Sequence, residues 1–287
     1  MTSTERETQF NIIFVGGAMR TGTSLLQHTL CSTPSTNDMM FECHHLTSHV
    51  KTYAQWRNKS DRALADFFDG LEELKGFTKI QLDSLLTSIH RQQHSPRDLI
   101  LKHPELTPLF PAVAELLPNA KFVIMVRDPR DVVSSMLVVA EKQKKLGRSS
   151  NMVAAQRDMK KLTHIFLSFY QSVQYLMKVA RNRVMFVKYE TLVTDPDQFF
   201  PDLSAFTGLD FSTFNKDADW VYTRLRGKND SFDTKIRGRS ISKDSIGNYK
   251  SSLSNEEIRQ IEDYAHDFMK TFKYSLSTFS ELKADTD

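Results

Sequence analysis

Cysteine is scarce in this sequence of 287 residues: there are two, Cys31 and Cys43, and they do not form a CxxC pair. No histidine stands where it would complete a zinc site with them. A chain of this length buries enough apolar surface to fold without a disulfide. A disulfide between the two remains open, but free thiols in a reducing compartment fit this cysteine content better.

Long apolar segments are missing as well. The first nine residues are mostly polar, and no stretch approaches the roughly 20 apolar residues of a membrane-spanning helix. The amino-terminal segment also lacks the apolar core of a secretion signal. We therefore expect a cytoplasmic protein that is neither secreted nor anchored in a membrane.

The sequence also lacks a strong excess of one charge. It has 38 Lys and Arg against 35 Asp and Glu, a formal net charge of +3. Proteins that bind duplexes generally carry a larger, clustered positive excess. A nucleic acid is therefore not expected as a partner, and the mild basicity suits a local pocket for an anionic ligand. The oligomeric state is not determined, and a homodimer is compatible with the sequence.

Short apolar runs alternate with longer amphipathic stretches along the chain. Strands are predicted at Asn11–Gly16, Leu99–Leu101, Phe122–Val126 and Val184–Val187. Helices are predicted from Gly22 onward, over Glu105–Leu117 and Arg130–Gln143, and through an amphipathic stretch at about 154–181. This alternation predicts an α/β fold with a central parallel sheet flanked by helices.

Neither an internal repeat nor an interdomain linker is visible in the sequence. We therefore expect a single domain over residues 1–287. Residues at about 45–95 are expected to form a helical cap. The segment at about 227–250 is polar, and we expect it to form a mobile loop.

A phosphate-binding loop is indicated between the first strand and the first helix. The segment from Gly17 to Ser24 has the spacing GxxxxGK[ST], except that Thr23 stands where a kinase or ATPase has lysine. The glycines let the backbone turn, so that successive N–H groups and the helix end face an anion. A cation is present at Arg20 instead. A glycine turn with a chance arginine is the alternative for this segment taken alone.

A second basic segment follows the strand Phe122–Val126 and reads Arg127-Asp-Pro-Arg-Asp. A helix that begins at Pro129 brings Ser135, about two turns along, near the end of that strand. The alternative is a strand end closed by a salt bridge between Arg127 and Asp128.

These two segments, in this order and about a hundred residues apart, resemble the nucleotide-binding segments of the sulfotransferases that use 3′-phosphoadenosine-5′-phosphosulfate (PAPS). In that family the loop usually reads Pro-Arg/Lys-Ser-Gly-Thr-Thr-Leu, and here Met19, Thr21 and Ser24 are mild departures. The resemblance implies a P-loop-like phosphosulfate loop after the first strand, with the fold and the activity of that family.

The resemblance also implies roles for individual residues. Arg20 is expected beside the oxygen that joins phosphate to sulfate, where negative charge grows in the transition state. Ligands of the 5′-phosphate are expected at Thr21, Gly22, Thr23 and Ser24. Ligands of the 3′-phosphate are expected at Arg127 and Ser135.

Two later segments extend the resemblance. Tyr189-Glu-Thr-Leu follows the last predicted strand, which implies that Tyr189 packs near the adenine and that Glu190 is a structural partner. The segment from Ser242 to Lys250 resembles the family's loop that closes over the 3′-phosphate. It implies that Lys243 binds this phosphate, with Ser242 where arginine is common. An exposed basic loop is the alternative for this segment.

Transfer to a neutral hydroxyl requires a base, and two residues compete for the role. Glu42 lies about twenty residues past Arg20, the distance at which the protein-tyrosine and carbohydrate branches carry a glutamate base. His103 is near the histidine base of the small-molecule branches but one residue early, which on a strand end reverses the direction of a side chain. Glu42 is favoured, and His103 stays open.

Neighbours of the two candidates complete the predicted site. Lys102 matches the family's lysine and is expected to stabilise the sulfate oxygens of the donor. The adjacent histidines His44 and His45 are interpreted as polar loop residues rather than as ligands.

The sequence thus predicts a sulfotransferase that moves a sulfuryl group from PAPS to a hydroxyl or amine of a small-molecule acceptor and needs no metal. One rival is a P-loop kinase, which requires lysine at Thr23 and a magnesium-binding aspartate. The other is a non-catalytic protein that binds a bisphosphate nucleotide and needs no base.

Overall fold

The computed structural model describes residues 10–59, 61–218 and 240–277. In these ranges one parallel sheet is formed by β1 (Asn11–Gly16), β2 (Asp98–Lys102), β3 (Lys121–Val126) and β4 (Val184–Lys188). The strand order across the sheet is β2-β1-β3-β4, and Phe14 of β1 pairs with Leu101 on one side and with Phe122 on the other. The predicted α/β fold with a parallel sheet is confirmed.

Helices connect and flank the strands. Between β1 and β2 lie α1 (Thr23–Cys31), α2 (His44–Trp56), α3 (Asp61–Ala65) and α4 (Gly70–Gln92). Between β2 and β4 lie a 3₁₀ helix (Pro104–Leu109), α5 (Phe110–Leu116), α6 (Pro129–Lys145), α7 (Asn151–Ala155), α8 (Met159–Ser168), α9 (Val173–Val179) and a second 3₁₀ helix (Arg181–Arg183). After β4 lie α10 (Tyr189–Thr194), α11 (Pro196–Thr207), α12 (Tyr249–Ser252), α13 (Asn255–Tyr264) and α14 (His266–Thr271).

The central residues of the strands are apolar because helices cover both faces of the sheet. Successive strand residues point to opposite faces. Ile13 therefore joins a core with Leu26 of α1, whereas Phe14 and Phe122 stack at 6.0 Å on the other face and meet Phe110 of α5. Burial on both faces holds the strands in place. The loops at the strand ends therefore begin from fixed positions.

Two predicted helices differ in the structure. The helix predicted over Glu105–Leu117 begins as the 3₁₀ helix, which contains Pro108, and becomes α-helical at Phe110. The amphipathic stretch at about 154–181 is divided into α7, α8 and α9. The division after α7 falls at Gln156, which has a φ of 53°, and Asp158 then caps α8 by accepting from the Lys161 N–H.

The segment predicted as a helical cap is helical in α2, α3 and α4. Val50 of α2 and Leu86 of α4 are buried in the same core as Phe110. Tyr53 of α2 also donates to Glu115 Oε1 of α5 at 2.7 Å. These contacts attach the helices to the face of the sheet that α5 covers.

Three further predictions concern the cysteines, the polar loop and membrane-spanning helices. Cys31 and Cys43 are free thiols. Most of the polar loop predicted at about 227–250 falls in residues 219–239, which lie outside the described residues. Within the described ranges, no helix has both the length and the apolar composition needed to cross a bilayer.

The predicted site residues follow strand ends. The loop that starts at Gly17 leaves β1, and Lys102 ends β2. Arg127 follows β3, and Tyr189 follows β4. Because the strands are parallel, these residues share the carboxyl edge of the sheet, where open α/β sheets bind their ligands.

Candidate functional site

Two glycines shape the loop between β1 and α1. Gly17 has a φ of +127°, and a Cβ there would lie 2.5 Å from the Met125 carbonyl oxygen of β3. Gly22 has a φ of +98°, and its Cβ would lie 2.6 Å from Cδ2 of Tyr189. Gly22 is also the N-cap of α1, so no side chain caps the first turn of that helix. A helix N-terminus that no side chain caps keeps its N–H groups available and suits an anion.

Thr21 closes this loop from inside. Its side chain is fully buried, its Oγ1 donates to the Ala18 carbonyl at 2.7 Å, and its N–H donates to the same carbonyl at 3.3 Å. Both donors that we expected to face a 5′-phosphate are thus engaged within the loop, because the tight turn needs them. Arg20 beside it has a φ of 72°, a strained conformation of the kind found at binding sites.

Arg127 directly follows β3, and two hydrogen bonds hold its guanidinium in place. Its Nη1 donates to the Arg20 carbonyl at 3.2 Å, and its Nη2 donates to the Ser245 carbonyl. Its guanidinium lies 4.2 Å from the centroid of the Tyr189 ring. The Nε atom is buried and has no hydrogen-bond partner among the described residues. An unpaired buried donor on a charged side chain is what an anionic oxygen would satisfy.

Ser135 lies on α6, where the sequence placed it, within reach of the loop. The Arg20 Nε donates to Ser135 Oγ at 3.0 Å. The structure therefore brings the residue expected at the phosphosulfate bridge into direct contact with one expected at the 3′-phosphate. The two predicted anion sites are neighbours.

Tyr189 is buried between Gly22 and Arg127, and its hydroxyl forms a hydrogen bond with Ser245 Oγ. The sequence alone did not indicate Ser245, although it lies within the segment from Ser242 to Lys250. Lys243 is exposed, and Ser242 Oγ accepts from the Asp244 N–H at 3.1 Å. In this conformation Ser245, rather than Ser242 or Lys243, contacts the rest of the site.

Asp131 attaches the segment that contains Ser245 to α6. Its two carboxylate oxygens accept from the N–H groups of Gly247 at 2.8 Å and Tyr249 at 3.2 Å. Burial raises the pKa of Asp131, and the Arg127 charge only partly offsets that rise. Sequence analysis missed this role, because no local pattern links residues more than a hundred positions apart.

Glu190 is a structural partner, as its position in the sequence suggested. Its Oε1 accepts from the Asp128 N–H at 3.0 Å, and its Oε2 accepts from the Tyr274 hydroxyl at 2.9 Å. It therefore connects the start of α6 with the chain that follows α14.

Both base candidates lie in one cluster. The Lys102 Nζ donates to Glu42 Oε1 at 2.8 Å, and the other oxygen, Oε2, is 3.8 Å from His103 Nε2 and 3.7 Å from His44 Nε2. The alternation of side chains along a strand does not apply to His103, because β2 ends at Lys102 and His103 lies beyond the ladder, at the start of the 3₁₀ helix. The choice between Glu42 and His103 as base therefore stays open on geometry.

Charge in this cluster is divided unequally. Burial acts to raise the pKa of Glu42, but Lys102 and the two histidines outweigh it and hold that pKa below its usual range. Burial lowers the pKa of His103, although Glu42 acts in the opposite direction. A carboxylate and a neutral imidazole therefore stand side by side near pH 7, and either can accept a proton.

Lys102 is buried, and its ammonium donates to Glu42. Because an ammonium has three N–H donors, its expected contact with the sulfate oxygens of a donor stays a prediction. His44, which the sequence analysis set aside, contributes to the cluster as the first residue of α2, and a metal ion can be held by Glu42, His44 and His103. The His44 ring lies 4.2 Å from the His103 ring, so the place of His44 in the cluster depends on how α2 packs against the 3₁₀ helix that follows β2.

Comparison with known proteins gives a consistent picture. The profile described as "Sulfotransferase family" matches residues 12–213. A Caenorhabditis briggsae protein, provisionally named a protein-tyrosine sulfotransferase, is 22% identical over 285 residues, which cover 93% of this chain and 90% of that protein. Protein-tyrosine sulfotransferase 2 of Gallus gallus is 28% identical over 206 residues. That match covers 70% of this chain but only 52% of the chicken protein.

Solved structures share the fold. The sulfotransferase domain of the Synechococcus PCC 7002 olefin synthase superposes with a TM-score of 0.57 at 18% identity, over 96% of this chain and 99% of that domain. A mouse sulfotransferase complexed with 3′-phosphoadenosine-5′-phosphate (PAP) superposes with a TM-score of 0.52 at 14% identity, over 92% of this chain and 86% of that one.

Proposed function

Since this chain belongs to the sulfotransferase family, we propose that it transfers a sulfuryl group from PAPS to an acceptor hydroxyl or amine and releases PAP. The observation that carries the proposal is that Arg20, Arg127 and Ser135 lie together at the carboxyl edge, beside the N-terminus of α1, which no side chain caps. Two adjacent anion sites suit a nucleotide with phosphates on both sides of its ribose.

The residues of the donor site fit such a nucleotide. Arg127 presents a planar guanidinium with one unpaired buried N–H, and arginine suits phosphate better than lysine because it donates from two nitrogens at once. The N–H groups of the first turn of α1 supply a second, uncharged anion site. PAPS supplies the sulfuryl group, and Arg20 would neutralise the charge that develops as this group leaves.

Glu42 is the base in this proposal. The pKa of its carboxyl group is held below the usual range of glutamate, so the group is a carboxylate near pH 7. Lys102 fixes one of the carboxylate oxygens by a hydrogen bond of 2.8 Å. The other oxygen faces His103, whose Nδ1 is 2.7 Å from Thr47 Oγ1. A carboxylate that is oriented by an ammonium can take the acceptor's proton, and His103 can orient the acceptor or pass the proton on.

The kinase alternative is replaced by the family assignment. Thr23 stands in place of the kinase lysine, and its hydroxyl cannot bridge two phosphates as an ammonium does. The non-catalytic alternative is disfavoured by the cluster around Glu42, since a protein that only binds a nucleotide has no use for a base.

Two acceptor classes have support. A small molecule fits the aromatic side chains of α2 and the turn before α4, where the Trp56 and Phe67 rings meet at 5.3 Å. A tyrosine in a peptide is supported by the printed names of the C. briggsae and chicken relatives. We propose the small molecule as the acceptor and the tyrosine as the alternative.

A donor-binding experiment tests the proposal. PAP at 100 times its dissociation constant should raise the free energy of unfolding by about 2.7 kcal/mol, and ATP with magnesium should raise it much less. Arg127→Ala should weaken PAP binding about 10–150-fold, because a hydrogen bond to a charged group contributes about 1.5–3 kcal/mol. Equal stabilisation by both nucleotides, or full PAP affinity in the variant, would contradict the proposed donor site.

An acceptor screen tests the second half. The protein is incubated with PAPS and either phenols, alcohols and amines of low mass or tyrosine-containing peptides, and products are detected by the mass of one added sulfuryl group. Transfer to the small compounds supports our choice. Transfer to peptides alone makes the tyrosine alternative correct.

A further inference from the structure

The cluster at the start of α2 has the donor set of a metal site. Among the described residues, one ligand atom each of Glu42, His44 and His103 lie within 4.8 Å of one another. One carboxylate and two imidazoles are the donors of many three-ligand zinc sites, which leave a fourth position open. The separations of 3.7 and 3.8 Å from Glu42 Oε2 to the histidine nitrogens are near those between ligands of a tetrahedral ion.

The two oxygens of Glu42 have separate partners. Lys102 holds Oε1 at 2.8 Å, and Oε2 is the atom that faces both histidines. A metal ligand whose second oxygen is hydrogen-bonded is fixed in orientation, which is how outer partners strengthen metal sites.

The hydrogen bonds around His103 determine which of its nitrogens can bind a metal. Thr47 Oγ1 donates to the Cys43 carbonyl at 3.1 Å and therefore accepts from His103 Nδ1, 2.7 Å away. The proton is then on Nδ1, and the lone pair is on Nε2, which faces Glu42. A lone pair directed at a carboxylate oxygen is repelled unless a proton or a cation lies between them.

Charge and access also favour a dication. Glu42 and Glu105 both lie within 3.9 Å of His103 Nε2, and Lys102 pairs with Glu42. His103 is buried, but the side chain of His44 is 71% exposed. An ion can therefore enter past His44 and reach the buried His103 behind it.

We propose that Glu42, His44 and His103 bind a zinc ion, and that the bound ion stops sulfuryl transfer. The ion occupies Oε2 of Glu42 and Nε2 of His103, which are the two proton acceptors of the site. Inhibition therefore follows whichever residue is the base. This second part rests on the proposed function, whereas the binding of zinc does not.

Zinc binding is measured on the full chain by calorimetric titration with zinc chloride in a buffer without chelators. We expect one tight site per chain. His44→Ala removes one of the three ligands, so the tight site should be lost. Because the His44 side chain is exposed, the fold should persist. Thr47→Val removes the partner of His103 Nδ1 and should weaken binding about 10–100-fold.

His49→Ala is the matched control. It lies on the same helix and pairs with His45, their Nε2 atoms being 3.3 Å apart, so these two could bind zinc on the helix surface. We expect His49→Ala to keep the tight site. If instead His49→Ala loses the site, or His44→Ala binds zinc as tightly as the unaltered protein, the assignment is wrong.

The activity measurement separates the two parts. Saturating zinc should abolish transfer in the unaltered protein and in His49→Ala, and EDTA should restore it. The turnover of His44→Ala should be the same with and without this zinc concentration, whatever its value relative to the unaltered protein. One tight site with undiminished turnover would overturn the inhibition alone, and a protein that binds zinc at this site but never transfers a sulfuryl group would overturn only the proposed function.

Discussion

Glu42 precedes α2 by two residues, and its position depends on contacts from two other segments. Lys102 at the end of β2 binds one oxygen, and His103 lies 3.8 Å from the other. The Cys43 N–H also donates to the Lys102 carbonyl at 3.3 Å. The carboxylate is thus attached to the rigid sheet through β2 rather than carried by a free loop.

Replacement of Glu42 by glutamine tests its role as base. Glutamine keeps the size of the side chain and can still accept from Lys102, but it cannot take a proton. We expect kcat to fall by roughly 10²–10⁴, the usual contribution of a general base, with little change in the dissociation constant of PAP. Steady-state rates and PAP titrations provide both values.

His103→Asn is the comparison variant, because asparagine can retain the bond to Thr47. It should cost less turnover than Glu42→Gln. Should His103→Asn lose nearly all activity while Glu42→Gln keeps most of it, His103 is the base and our assignment is reversed.

Among the secondary-structure elements, α6 organises the proposed donor site. Its N-terminal residues include Arg130 and Asp131, and Ser135 faces Arg20 one turn further on. Asp131 binds the two N–H groups of the chain at 247–249. One helix therefore positions a predicted phosphate ligand and also holds the segment that contacts Arg127 and Tyr189.

Asp131→Asn should loosen that segment. The amide has one acceptor oxygen in place of two, so at least one of the N–H groups of Gly247 and Tyr249 loses its partner. An unpaired buried group costs about 1–3 kcal/mol. We expect weaker PAP binding, by about tenfold, together with a loss of stability, measured by titration and by urea unfolding.

Asp158→Ala is the control for lost stability alone. Asp158 caps α8 by accepting from the Lys161 N–H, and removing such a cap costs about 1 kcal/mol. Its PAP affinity should match that of the unaltered protein. If Asp131→Asn also binds PAP normally, the attachment of this segment does not matter to the donor site.

At the scale of the whole molecule, Arg130 joins the sheet edge to the last described helices. It forms a two-pronged pair with Asp128, with distances of 2.6 and 3.0 Å, and its Nη1 donates to Glu262 of α13 at 2.6 Å. All three side chains are buried, and the two acids raise the pKa of Arg130 against the effect of burial. Tyr249 stacks on the same guanidinium at 4.5 Å.

Arg130→Ala should therefore destabilise the fold strongly. It leaves two buried carboxylates without a cation, and breaking a buried pair in this way costs about 3–5 kcal/mol. Arg157→Ala is the matched control. Arg157 pairs with Glu257, which lies on α13 as Glu262 does, but Arg157 is exposed. An exposed pair contributes about 0–1 kcal/mol. Equal losses from the two variants in urea unfolding would refute the importance of the buried link.

Much of the fold was predictable because the signals are local. The four strands are continuous apolar runs between polar turns, and Pro129 marks the start of α6. The breaks within 151–179 were not predicted, since apolar periodicity continues across them. The turn at Gln156 and the cap at Asp158 become visible only in the folded chain.

The elements and the residue types at the strand ends can be recognised in the sequence, because turn glycines, helix-starting prolines and apolar runs act over a few residues. The contact of Ser245 with Arg127, the contact of Asp131 with Gly247 and the approach of His44 to Glu42 and His103 follow only from the folded chain. Those contacts join segments about sixty or more than a hundred residues apart. Contacts between such distant segments depend on how the helices pack on the sheet, and this packing is determined by the whole core rather than by any local pattern.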